Sequence, residues 1–294
     1  MLNNEDLHSL CALAETAAKA AGEYIQSQFN QQHETLHKDG GSTLASQVVT
    51  EVDIKAQEII IKHMQPSIDE FDLGLLTEES ADDQSRLKKS HFWCVDPLDG
   101  TLSFTRGHSG YSVSIALVSK SGDPVIGVVY IPDVEQSYTS IKGMGVKLNG
   151  LPISRNKDSQ VLNVYMDRSL AAHKNFDFIK TELKKWSKKH NLADVSFHKG
   201  FGAVRNAVSV MLAGHACYFK FPKPEEGGGS IWDFAATRLF FEELGLQISN
   251  AHDQDLHLNN PDTAFMNEQG VVYATDEQLK KFILGLYGRI HVNG

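Results

Sequence analysis

Three apolar runs, Tyr111 to Val118, Val125 to Ile131 and Ser137 to Ile141, follow one another with only Ser121-Gly122-Asp123-Pro124 and Ile131-Pro132-Asp133 as punctuation. Runs of this length, bounded by Gly and Pro turns, predict an antiparallel meander. Upstream, Leu7, Leu10, Cys11, Ala14, Ala18, Ala21, Ile25 and Phe29 recur at helical spacing and predict one long amphipathic scaffold helix over Asp6 to Phe29. A second helix is expected through Val52, Ala56, Ile59, Ile60 and Met64, with Asp53 in its first turn. The polar stretch His33 to Ser46, with Asp39-Gly40-Gly41-Ser42, reads as a mobile loop between them.

From about Leu151 the texture changes. Strands near 162–165, 195–198 and 216–221 alternate with helices near 176–189, after Gly202, and from Trp232 to Leu244, as in an α/β unit. The chain of 294 residues is therefore expected to divide softly near 150: residues 1–150 as an α+β half and residues 151–294 as an α/β half. A formal net charge of −9, with no stripe of Lys and Arg, argues against a nucleic-acid polymer as partner. No run reaches the length of a membrane span and the first residues lack the layout of a signal peptide, so a cytoplasmic setting is expected. Cys11, Cys94 and Cys217 stand apart among apolar neighbours and read as core residues.

Chemistry enters with the acids. Glu78-Glu79, Asp96, Asp99 and Asp233 each follow an apolar strand or open a helix, so the fold can bring them to one edge. Oxygen ligands without His or Cys suit a hard cation such as Mg²⁺, which takes a few carboxylates together with substrate phosphate. A phosphate monoester needs that help, because its charge repels a nucleophile and its alkoxide leaves poorly. In Asp96-Pro97-Leu98-Asp99-Gly100-Thr101, Pro97 is expected to stiffen a turn that points both carboxylates to one side. A helix starting after Gly100 would offer the N–H groups of Gly100 and Thr101 to phosphate oxygens.

These segments resemble the inositol monophosphatase family of magnesium-dependent, lithium-sensitive phosphatases. The matching blocks are Val49-Thr50-Glu51-Val52-Asp53, Thr77-Glu78-Glu79-Ser80, Val95 to Thr101 with Phe104, and Trp232-Asp233-Phe234-Ala235-Ala236 followed by Glu243-Leu244-Gly245. The resemblance implies an α/β fold, a layered α-β-α-β-α sandwich like that of inositol monophosphatase and fructose-1,6-bisphosphatase, and commonly a homodimer. It implies two or three Mg²⁺ ions: Glu78, Asp96 and the carbonyl of Leu98 for a first, and Asp96, Asp99 and Asp233 for a second. On this reading residues 1–150 carry most metal ligands, and residues 151–294 carry Asp233 and the selectivity region. Glu78 and Thr101 would position the attacking water with Asp53 behind Thr101, and Glu79 would help a weaker metal or orient the site. Asp99, Gly100, Thr101, Lys220 and Asp233 would contact a small phosphorylated metabolite.

The substrate is left open by two departures. In Cys217-Tyr218-Phe219-Lys220-Phe221-Pro222, Lys220 stands where many inositol phosphatases have a Glu, an arrangement similar to 3'(2'),5'-bisphosphate nucleotidases, in which the cation meets a second phosphate. Against that, Gly202-Ala203-Val204-Arg205-Asn206-Ala207 lacks the serines and lysine those nucleotidases tend to carry. The function expected is hydrolysis of a phosphorylated metabolite such as inositol monophosphate. The alternatives are a bisphosphate nucleotidase acting on adenosine 3',5'-bisphosphate, and a regulatory, protein-binding member of the fold. Glu225-Glu226-Gly227-Gly228-Gly229-Ser230 reads as a flexible acidic loop, and a basic residue such as Lys38 is expected to reach toward the metal site. His33-Glu34-Thr35-Leu36-His37 matches a zinc-protease pattern by letter, but its polar surroundings make it a coincidence.

Overall fold

The computed structural model describes residues 2–31, 35–37, 48–155 and 158–292. The helices are α1 (Asn4–Gln28), α2 (Glu51–Phe71), α3 (Thr101–Phe104), α4 (Arg168–Ala171), α5 (Phe176–Lys189), α6 (Ala203–Leu212), α7 (Ile231–Glu243) and α8 (Glu277–Val292). A short antiparallel pair joins β1 (Thr35–His37) to β2 (Val48–Thr50). One sheet holds, in spatial as in chain order, β3 (Gly74–Thr77), β4 (His91–Asp99), β5 (Ser112–Ser119), β6 (Pro124–Ile131), β7 (Gln136–Ile141), β8 (Val146–Leu148) and β9 (Leu151–Pro152). The other is built from β10 (Val161–Met166), β11 (Asp194–Lys199), β12 (His215–Lys220), β13 (Gln247–Ser249) and β14 (Val271–Ala274), in the order β11-β10-β12-β14-β13.

Five layers result, and the apolar patterning explains them. Residues of β4 to β6 are buried on both faces, so each face of the first sheet must be covered. Ala14, Ala17, Ala18 and Ala21 let α1 lie close, and with Val52, Ala56 and Ile60 of α2 they cover one face over Trp93, Val113, Ile115 and Val128. The opposite face, through Phe92, Cys94, Ala116 and Val129, packs on α6 and α7, which also meet Tyr218 and Tyr273 of the second sheet. Leu183 of α5 and Ile283 and Leu286 of α8 close the far side over Leu162, Val164, Cys217 and Val272. The order is α-β-α-β-α. The middle layer shares one core with both sheets, which brings residues from the two sheets to a common edge.

The expected meander is present, with β5, β6 and β7 paired in sequence. All three cysteines are free and buried. No helix among the described residues is long and apolar enough to cross a membrane. His33, Glu34, Lys38 and Asp39-Gly40-Gly41-Ser42 lie outside the described residues; Thr35-Leu36-His37 forms β1, an extended segment and not the helix a zinc-protease motif requires.

Candidate active site

The turn expected at Asp96-Pro97-Leu98-Asp99 is a bulge inside a strand. Strand β4 continues to Asp99, and Asp96 pairs with Ser114 while Asp99 pairs with Ser112, so three steps on β4 oppose two on β5. Side chains three apart on a regular strand point to opposite faces; one extra residue returns Asp99 to the side of Asp96. Pro97, which has no N–H for the ladder, is tolerated at such a bulge. Gly100 then turns the chain at φ 87°, where an added Cβ would lie 2.7 Å from the Gly110 carbonyl oxygen. The one-turn helix α3 begins at Thr101, which meets the condition set for the N–H groups of Gly100 and Thr101 to face an anion.

Two helix starts deliver the distant acids by the same device. In α2, the Thr50 N–H and hydroxyl donate to Asp53 Oδ2 at 2.8 and 2.6 Å, and Val52 N–H donates to Thr50 Oγ1 at 3.1 Å. In α7, the Ser230 N–H donates to Asp233 Oδ2 at 2.6 Å, completing a capping box. A Ser or Thr three residues before Asp, present in both Thr50-Glu51-Val52-Asp53 and Ser230-Ile231-Trp232-Asp233, is the local signal that fixes both carboxylates.

The third helix start falls where it is expected, after Gly202, but the group that caps it was not anticipated. The N-cap of α6 is Gly202, which has no side chain to satisfy the first N–H groups. Asp99 does so from β4: Ala203 N–H donates to Oδ1 at 2.8 Å and Val204 N–H to Oδ2 at 3.0 Å, while the Ser112 hydroxyl donates to Oδ2 at 3.2 Å. Any Cβ at Gly202 would lie 2.2 Å from Asp99 Oδ2, so only glycine admits the carboxylate here. A helix opening on Gly with no capping oxygen was the available signal, but the partner is 104 residues earlier in sequence.

Carboxylate oxygens of Asp96, Asp99 and Asp233 come within 4.8 Å of one another, a group of three suited to a metal among the described residues. Asp96 and Asp99 are buried. Burial drives the Asp96 carboxyl well above its usual range, and the charges of Glu78, Asp99 and Asp233 and a hydrogen bond with Glu78 add to the rise. Asp99 is pushed up to about 7 by burial and then Asp233, against the opposing donors of Ala203 and Ser112. So many carboxylates with no cationic side chain among them fit a hard divalent cation, whose charge removes the repulsion.

Thr101 Oγ1 lies 2.7 Å from Asp53 Oδ1 and 3.0 Å from the Leu98 carbonyl oxygen, both acceptors for its single proton. Asp53 is raised to about 6, first by burial and slightly by the Glu78 charge, with the Thr50 and Thr101 donors opposing.

These groups open onto a cavity of about 560 Å³ whose lining includes Glu78, Asp96, Leu98, Asp99, Gly100, Thr101 and Asp233. Its wall also includes Arg106, Asp167, Arg168, Ser169, Lys220 and Gly227 to Gly229. Glu79 is not among the lining residues; its N–H donates to Gln57 Oε1 at 3.0 Å. Lys220 is not an unattached surface lysine: its Nζ lies 2.8 Å from Asp167 Oδ2 and donates to the Gly228 carbonyl oxygen at 2.5 Å. Asp167 escaped the sequence reading because the pairing is topological. In the parallel register of β10 and β12, Tyr165 faces Tyr218, and two residues further on Asp167 comes beside Lys220.

Known proteins share this frame. Inositol monophosphatase 2 of Solanum lycopersicum is 29% identical over 232 residues, 78% of this chain and 82% of that protein. Inositol monophosphatase 1 of the same plant is 32% identical over 163 residues, 55% of this chain and 57% of that protein, so this match spans little more than half of the relative. A crystal structure of an IMPase/NADP phosphatase complexed with Mg²⁺ and phosphate has the same fold, with a TM-score of 0.71 at 18% identity, over 94% of this chain and 95% of that one. The model of the inositol monophosphatase family matches residues 6–290, a span that takes in both sheets and every acid that meets in the cavity. On that match the chain belongs to the inositol monophosphatase family of phosphatases.

Proposed function

We propose that this chain is a Mg²⁺-dependent phosphomonoesterase acting on a small phosphorylated metabolite. The observation that carries the reading is the convergence of Asp96, Asp99 and Asp233, from a strand bulge and a helix start, beside the Gly100-Thr101 turn. The Mg²⁺ and phosphate bound to the IMPase/NADP phosphatase of the same fold support it. Glu78, Asp96 and the Leu98 carbonyl would hold one ion, and Asp96, Asp99 and Asp233 another. Such ions, when bound, offset phosphate charge, acidify water and hold the departing oxygen.

The remaining work falls to the chain. Thr101 Oγ1 donates a hydrogen bond to Asp53 Oδ1, which leaves the hydroxyl lone pairs free to accept a hydrogen bond from water. Asp53, fixed on its other oxygen by Thr50, keeps Thr101 in that orientation. Glu78 accepts from the same water at the cavity wall and so directs an oxygen lone pair toward phosphorus. The N–H groups of Gly100 and Thr101 hold phosphate oxygens at the start of α3. Lithium inhibition and a homodimer belong to the same proposal by family likeness.

The experiment is phosphate release with and without Mg²⁺ from inositol 1-phosphate, adenosine 3',5'-bisphosphate, fructose 1,6-bisphosphate, histidinol phosphate and 2'-AMP. At least one is expected to be hydrolysed, with release abolished by a chelator. Release unaffected by metal removal, or none from a folded Mg²⁺-loaded protein, would overturn the reading.

A further inference from the structure

The cavity wall holds two charges that nothing in the proposed reaction uses. Arg106 follows α3 and Arg168 opens α4, helices that come after strands of different sheets, β4 and β10, yet both line the cavity that contains the acids. Neither guanidinium has an ion-pair or hydrogen-bond partner among the described residues, although acids outnumber bases in this chain by 37 to 28. They also oppose each other: Arg168 is held below its usual value first by burial and then by the like charge of Arg106. Both guanidinium groups are exposed, so water and salt screen most of this repulsion, and an anion held between them would be met by the N–H donors of both.

Lys220, the other cation of the wall, is already answered by Asp167 and by the Gly228 carbonyl. The cavity thus has an acidic lining that calls for cations and a pair of arginines that calls for an anion, in a volume that fits a whole small metabolite. We infer that Arg106 and Arg168 form a subsite for a second anionic group of the substrate, a phosphate or a carboxylate, so that the preferred ligand carries a charged group in addition to the phosphate that is removed. This rests on the phosphatase reading and narrows its substrate class to doubly anionic metabolites. Guanidinium groups take either anion through paired N–H donors, whereas the Ser169 hydroxyl on the same wall already donates to Asp167 Oδ1 at 2.7 Å.

The test compares Arg106→Gln, Arg168→Gln and the double variant with the unaltered protein. Because both side chains are exposed, folding should survive, which a thermal melt checks. The readout is the ratio of kcat/KM for a substrate with a second anion, adenosine 3',5'-bisphosphate, fructose 1,6-bisphosphate or phosphoserine, to that for inositol 1-phosphate. Each single change is expected to lower the ratio by about tenfold and the double change by up to about a hundredfold, the effect of losing charge-assisted hydrogen bonds. A loss confined to the bisphosphates assigns the subsite to phosphate, and one confined to phosphoserine assigns it to carboxylate. An unchanged ratio, with both substrate types losing turnover equally, would mean that the arginines merely balance the acidic lining and would overturn the inference. Should the unaltered protein turn over none of these compounds, the phosphatase reading fails separately. Calorimetric titration with adenosine 3',5'-bisphosphate and inositol 1-phosphate then decides the subsite, and equal affinities in the double variant and the unaltered protein would refute it.

Discussion

The acidic and the basic lining of the cavity are built on opposite principles. Among the acidic lining and its support, Asp53, Asp96, Asp99 and Thr101 are buried; Asp53 and Asp99 hold the starts of α2 and α6, Asp96 accepts from Leu98 N–H within the bulge, and Thr101 donates to Asp53. In the basic lining Arg106, Arg168 and Ser169 are exposed, and Gly227 to Gly229 all take positive φ. The chemistry is preorganised by the fold, whereas selection is left to loops that can vary without disturbing it. The contrast predicts that changes in the acidic lining alter turnover on every substrate, while changes in the basic lining alter the choice among substrates.

The largest effect is expected from Asp96→Asn. A metal ion contributes several kcal/mol to the transition state, and about 1.4 kcal/mol is a factor of ten, so phosphate release should fall by about a thousandfold or more. In a chelator the same variant should melt at or above the temperature of the unaltered protein, because Asn is spared what folding costs Asp96 beside Glu78, Asp99 and Asp233, either a buried charge or the uptake of a proton. Lower stability together with full turnover would break the comparison at its strongest point.

Gly202→Ala asks whether the preorganisation is as tight as the contacts indicate. Its Cβ would fall within 2.2 to 2.4 Å of the three carboxylate atoms of Asp99, so either Asp99 or the start of α6 must move. Overpacking of this kind costs about 1 to 3 kcal/mol, and turnover should fall by about ten- to a hundredfold. Gly285→Ala in α8, with nothing within 4 Å of the new Cβ, is the control and should leave turnover unchanged.

Asp53→Asn is expected to act more gently, lowering kcat by about tenfold with little change in KM, since it loosens Thr101 without touching the acids that group around the metal position. Thr101→Ser should retain most activity and Thr101→Val should lose it to the same extent as Asp53→Asn. Equal activity in Thr101→Ser and Thr101→Val would remove the hydroxyl from the mechanism.

Legibility in sequence followed the same division. Asp53 and Asp233 were placed in first turns by helical spacing, and their roles by the family resemblance, while the capping boxes that fix them, though local, went unread; β5 to β7 were readable because alternating runs and turns are local. Asp96 and Asp99 were readable as a pair, but the bulge that puts them on one face was not, because it depends on register with Ser112 and Ser114. Strands β13 and β14 and helix α8 were missed. The four-residue run Val271–Ala274 is too short for periodicity to separate strand from helix, although it pairs with both β12 and β13. What the sequence could not supply was adjacency: Asp99 against Ala203, Asp167 against Lys220, Arg106 near Arg168.

The smallest effect concerns the one firm piece of the basic lining. Burial alone would raise the Asp167 carboxyl, but the charge and hydrogen bond of Lys220, with Ser169 and Leu170 N–H, bring it below its usual value. Burial would lower Lys220, and the charges of Asp167 and Asp233 outweigh that and raise it. A carboxyl depressed on folding stabilises the native state above its unfolded pKa of about 3.9 and loses that contribution as pH falls through its folded value. A lysine raised on folding contributes fully below about 10.4 and loses the contribution as pH rises through its folded value. The pair's contribution is therefore level between about pH 5 and 9 and shrinks at both extremes. Asp167→Asn strips Lys220 of its nearest anion, and because the two side chains keep 14 and 19% exposure the cost should be about 1 to 3 kcal/mol, below the 3 to 5 kcal/mol of a fully buried pair. Denaturant unfolding of the two proteins should give a constant difference across the plateau that closes below about pH 4. A difference that grows on acidification would mean that Asp167 is held by something other than Lys220. An Asp167→Asn protein that also shifts the ratio of bisphosphate to monophosphate turnover in favour of the bisphosphate would show that releasing Lys220 lends the basic lining a third cation, joining it to Arg106 and Arg168.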